Sequence, residues 1–210
     1  MANKLIESKT KRLVILAVFS AIIAVMAFTV GYIPLGFMNA TIIHIPVIIG
    51  AILLGPVEGG ILGFVFGLTS LINNTVRPNI TSFVFTPFYS LDPRFSGSFK
   101  SILICFVPRI LIGVIAALLF RALMKTKLNK GVSLAITGFI GSMVNTVFVM
   151  GGIYFLYGES YAEAKGMGFS ALFKVIMGVV GVNGVPEAIV AAILTAAITA
   201  PVMKYLKKQQ

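Results

Sequence analysis

Charge is what this sequence has least of. Only 11% of its 210 residues are charged, and just 6 are acidic. A soluble domain carries about 25% charged residues, so a water-soluble fold is excluded. The one cysteine, Cys105, excludes an internal disulfide and a CxxC site, and reads as a small packing residue. The one histidine, His44, leaves a zinc site or a histidine-based catalytic pair without support. No G-x-x-x-x-G-K-[ST] phosphate loop and no G-x-S-x-G elbow occurs, so neither an ATPase nor a serine hydrolase is written here.

What is there is apolar. Hydrophobic residues make up 58% of the chain, and the mean hydropathy is +1.03. This predicts an all-α integral membrane protein. The length has room for about six helices of roughly 20 residues, hence a single membrane-embedded domain over 1–210 and no sizeable soluble part. The net charge of +11 would suggest nucleic acid in a soluble protein. Here the basic residues cluster at helix ends, which reads as topology.

Six transmembrane helices are expected, near 13–30, 41–54, 57–72, 100–123, 131–157 and 184–203. The first run is too long for a secretory h-region and is read as an uncleaved first helix. It carries Ala17 and Ala21 four apart, with Ser20 and Ala24 on an adjacent stripe. Such small residues let another helix approach closely, within this chain or from a partner. Gly55-Pro56 predicts a tight turn. Gly59, Gly63 and Gly67, again four apart, give the third helix a smooth packing face. Two long loops are expected, at 74–99 and 158–183. The first, rich in proline and aromatics, suits a structured cap. Within the second, 169–182 is apolar but too short to span, so a re-entrant or interfacial segment is expected there.

Basic residues at 4, 9, 11 and 12, at 121, 125, 127 and 130, and at 204, 207 and 208 fall on one side of a six-helix arrangement. The positive-inside rule makes that side, and both termini, cytoplasmic. Arg109 then stands out. It sits inside an apolar run, at roughly 2.5–3.5 kcal/mol on insertion scales. It lies nine residues beyond Lys100, or about 13 Å along a helix. Asn73, Arg77, Asn145, Asn183 and Glu187 also fall at outer helix ends. Polar groups thus gather in the outer half of the membrane, beneath two loops. Phe85 and Tyr89 are candidate covers for an apolar ligand part. His44 joins the candidate set, although its ordinary role would be packing. Arg109 fits a carboxylate with its planar fork; pairing with Glu187 is the competing use. A pocket open to the outside with no engine reads as a capture subunit that draws energy from a partner.

The chain resembles the substrate-binding S-components of energy-coupling-factor (ECF) transporters, the vitamin uptake systems of prokaryotes. The resemblance covers nearly the whole chain. It rests on the six-helix plan, Ala17-xxx-Ala21, the glycine-rich third helix, Pro108-Arg109-Ile110-Leu111-Ile112-Gly113, Asn145-Thr146-Val147 and Asn183-Gly184-Val185-Pro186-Glu187. It is similar above all to pantothenate-type members, with hydroxymethylpyrimidine and pyridoxine types next. The resemblance implies a multi-pass protein of the cell membrane that binds without catalysis and without a cofactor of its own. It also implies docking, through the Ala17 and Ala21 face, onto a transmembrane coupling protein driven by two cytoplasmic ATPases. A self-sufficient secondary transporter would need inverted repeats, and 1–105 shows no convincing similarity to 106–210.

Overall fold

The structure, a computed structural model, describes residues 8–29, 32–34, 39–88 and 91–208. Its helices are α1 (Lys9–Phe28), α2 (His44–Leu54), α3 (Pro56–Val76), α4 (Phe99–Leu123), α5 (Lys130–Ala164), α6 (Phe169–Val179) and α7 (Val185–Lys208). A small antiparallel ribbon joins α1 to α2, pairing β1 (Tyr32–Pro34) with β2 (Asn39–Thr41). α6 runs through a π turn, Val180–Gly184, directly into α7. Together they make one apolar helix of 40 residues, Phe169–Lys208. Among the described residues, five helices are long and apolar enough to cross a membrane, and α2 is a shorter apolar helix. The protein is a six-helix, multi-pass membrane protein.

One end of the bundle collects the positive charge. Arg12 of α1 donates to the Leu54 carbonyl at 3.0 Å and pairs with Glu58 of α3. The guanidinium of Arg121, at the end of α4, lies beside Gly55. Lys130 and Lys207 are close enough to repel each other. This face therefore carries the basic clusters of α1, α4, α5 and α7, as the charge pattern requires of a cytoplasmic side. Gly55 has φ of 122°, a backbone region that favours glycine, and Pro56 opens α3 where a missing N–H leaves no bond unmade.

Packing between α3 and α4 is backbone against backbone. A Cβ on Gly59 would stand 2.7 Å from the Gly113 carbonyl, and one on Gly67 would stand 2.8 Å from the Phe106 ring. Gly63 meets the Arg109 backbone. The glycine stripe of α3 thus fits a stripe at 105, 109 and 113 of α4, where Cys105 donates its Sγ–H to the Gly67 carbonyl at 3.3 Å. α5 and α7 meet the same way, Gly138 lying against Ala191 and Thr195. The buried face of α7 is Ala188, Ala191, Thr195, Thr199 and Met203. All eleven residues of α2 are buried. α1 is the opposite case, with only Ile23 and Ala27 buried.

Two expectations change. The second long loop is no loop: α5 continues past a kink at Tyr157 (φ −137°, ψ 17°) to Ala164. It then turns back as α6, making a helical hairpin. Gly158 admits the Phe169 ring at that closure. The chain does not reverse between 169 and 184, so the segment is not re-entrant. It is an amphipathic extension of the last span, with Leu172 and Ile176 inward. The first loop is the structured cap expected. Ser82 Oγ donates to Asn74 Oδ1 at 3.0 Å, and the Thr75 and Thr86 hydroxyls are 2.7 Å apart. Ser101 Oγ donates to the Phe83 carbonyl at 2.7 Å. Phe83 stacks on Phe95 and meets Tyr157 edge-on.

Candidate functional site

A cavity of about 420 Å³ lies at the outer end of the bundle. Phe66, Ser70, Asn73, Asn74 and Arg77 enter it from α3, at offsets 0, 4, 7, 8 and 11 along one helical face. Asn79 and Phe85 come from the cap, and Arg109 from α4. α5 supplies Asn145, Thr146, Val149 and Met150; the last helix supplies Val179, Asn183, Gly184 and Glu187. The π turn explains the last group. A regular helix turns residues eight apart by about 80°. The wider turn, closed by Val185 N–H on the Val180 carbonyl, unwinds part of that rotation. Val179, Asn183 and Glu187 thereby stay on the cavity side. Gly184 is required here, because a Cβ would stand 2.8 Å from Thr146 Cγ2.

Arg109 is buried, with 7% of its surface exposed. Its Nη1 donates to the Ile104 carbonyl at 2.7 Å. Its Cζ stands 5.6 Å from the Phe66 ring centre and 5.2 Å from that of Phe85. Two aromatic faces thus bracket the cation, an arrangement that stabilises it where water is scarce. The side-chain oxygens of Asn73 and Asn145 are buried and accept no hydrogen bond among the described residues. A buried acceptor left without a donor disfavours the folded state. Both oxygens belong to residues that line the cavity. The site offers a cation, amide donors and acceptors, one carboxylate and an apolar wall. Among the described residues, no three His, Cys, Asp or Glu side chains come together.

Of the candidates read from sequence, Arg109, Asn145, Asn183, Glu187, Asn73, Arg77 and Phe85 converge on this cavity. His44 does not line it. It is buried at the start of α2, within the helix core. Tyr89 lies outside the described residues. Ala17 and Ala21 are exposed on α1, and Ser20 and Ala24 are half-buried beside them. Sequence reasoning missed Phe66, Ser70, Asn74, Asn79, Thr146, Val149, Met150, Val179 and Gly184. Stepping by three and four residues from Asn73 and Asn145 would have found Phe66, Ser70 and Val149.

The profile of the family described as "ECF transporter, substrate-specific component" matches residues 11–199. This chain belongs to that family. It is therefore an S-component, a membrane transport subunit of a vitamin uptake system. It is 32% identical over 202 residues to the pantothenic acid transporter PanT of Lactococcus lactis subsp. cremoris, covering 94% of this chain and 96% of that one. It is 33% identical over 201 residues to the pantothenate transporter PanT of Leuconostoc mesenteroides subsp. mesenteroides, covering 91% and 92%.

Proposed function

We propose that this S-component captures pantothenate from outside the cell and holds it in the cavity beneath the cap. The observation that carries this is a buried arginine sharing one cavity with two asparagine oxygens that accept no hydrogen bond among the described residues. Pantothenate has a carboxylate for Arg109, and an amide N–H and two hydroxyls for Asn73 and Asn145. Asn183 completes the polar side. Phe85, Val149 and Met150 cover the dimethyl group. The names of the two relatives support the same ligand.

The subunit itself performs no chemistry and needs no cofactor in this reading. Ala17 and Ala21, exposed on loosely packed α1, dock onto a transmembrane coupling protein. Two cytoplasmic ATPases on that protein supply the energy.

The test is titration of pantothenate into the purified protein and its Arg109→Ala and Arg109→Lys variants. Removing one partner of a buried charge pair costs 2–5 kcal/mol, so Arg109→Ala should bind roughly 30-fold more weakly or worse. Arg109→Lys should recover part of the loss, because lysine keeps the charge without the fork. Near-native affinity in the alanine variant would sink the assignment of Arg109. No binding by the wild type would sink the ligand.

A further inference from the structure

Pro108 lies immediately before Arg109, inside α4. Proline has no backbone N–H, so the carbonyl four residues earlier loses its helical donor. That carbonyl belongs to Ile104. The Arg109 side chain takes the donor's place, curling back along its own helix so that Nη1 reaches Ile104 O at 2.7 Å. In an unbroken helix this carbonyl would point along the axis to an N–H at position 108. The backbone around the arginine has little freedom to compensate, since Gly63 of α3 rests directly on the Arg109 carbonyl.

We propose that Pro108 is a positioning residue for ligand capture: it frees the Ile104 carbonyl, and that carbonyl holds the Arg109 guanidinium in the orientation that meets the ligand's anionic group. The proposal rests on the reading that Arg109 binds a carboxylate. Pro108→Ala restores the N–H and draws the Ile104 carbonyl back into the helical ladder. The arginine charge stays in the cavity, but its hold on one wall is weakened. The effect therefore falls on the carboxylate alone.

The experiment compares pantothenate with pantothenol, the uncharged alcohol with the same amide and hydroxyls. Affinities are measured by calorimetry on the full chain in detergent. Wild-type protein should prefer pantothenate. Pro108→Ala should lose about tenfold in pantothenate affinity, the scale of one hydrogen bond to a charged group. Its pantothenol affinity should stay within about twofold of wild type, the spread expected for an untouched interaction. In an Arg109→Ala background the same substitution should leave the ratio of the two affinities unchanged, because coupled residues lose their coupling when one is removed.

An unchanged preference in Pro108→Ala overturns the proposal. So does an equal loss for both ligands, which would mean that proline shapes the helix and not the arginine. Pro108→Gly also restores the N–H and serves if the alanine variant does not fold. Failure of both to fold assigns Pro108 to the fold and overturns the proposal as well. A wild type that binds both ligands equally defeats the carboxylate reading itself. The wild-type measurement thus tests that reading, and the Pro108 measurements test the inference.

Discussion

Gly63 rests against the backbone carbonyl of Arg109 so closely that a Cβ on Gly63 would overlap that oxygen. The residue that carries the charge is therefore also the point where α3 and α4 meet. Gly63→Ala should destabilise the protein by about 1–3 kcal/mol, as overpacking does. It should also weaken ligand binding, because α3 carries Phe66 and Asn73. Gly151 is the control. A Cβ there meets nothing within 4 Å, so Gly151→Ala should leave both properties unharmed. Thermal unfolding in detergent, with and without ligand, reads both.

The Asn73 and Asn145 oxygens set stability against function. Each is buried without a donor among the described residues. Asn145→Leu should bind about tenfold more weakly, the usual loss for one ligand hydrogen bond. Its ligand-free form should be no less stable than wild type, since an unmatched polar group has been removed. A ligand-free melting temperature that falls together with affinity would refute this account of Asn145.

Tyr157 ties the kink of α5 to the cap. Its hydroxyl lies 2.9 Å from Ser98 N, 2.8 Å from Ser98 Oγ and 2.7 Å from Ser101 Oγ. Ser98 is also the N-cap of α4. Tyr157→Phe should cost about 1–3 kcal/mol by leaving these groups short of a partner. Hydrogen exchange should rise in 77–88, 91–98 and 158–164, while α2 stays protected. Uniform loosening across the chain would contradict the local tie.

Arg12 and Glu58 hold the cytoplasmic end of α1 to α3. Both are partly exposed, at 29% and 18%, so the pair is screened. Glu58→Gln should change stability by less than about 1 kcal/mol. Exchange at the start of α1 should nevertheless quicken, because so little else of that helix is buried. Unchanged exchange there would show that the pair does not anchor α1.

The sequence made Arg109 visible because an intramembrane charge is improbable without a purpose. Gly59, Gly63 and Gly67 were visible because spacing of four is a packing face. The hairpin of α5 and α6 was hidden for a physical reason. Its inward residues, Ala162, Leu172 and Ile176, form a separate small cluster, and its apolar run is too short to span. Length alone therefore argued for a re-entrant or interfacial segment within a loop. The π turn left no mark in composition, yet it keeps Asn183 and Glu187 on the cavity side. His44 stayed open between packing and pocket because a polar residue near the outer membrane half looks the same whether its helix borders the cavity or fills the core. Only the packing of the neighbouring helices around α2 decides that.

The burial of α2 bears on how this protein enters its membrane. Eleven residues cover about 16 Å, roughly half the hydrocarbon thickness, and every one of them is buried in protein. Lipid does not stabilise α2 in place; the surrounding helices do, and α7 among them is made last. α2 therefore gains its full enclosure only once the C-terminal helix has closed over it. Its enclosure is a product of the finished bundle.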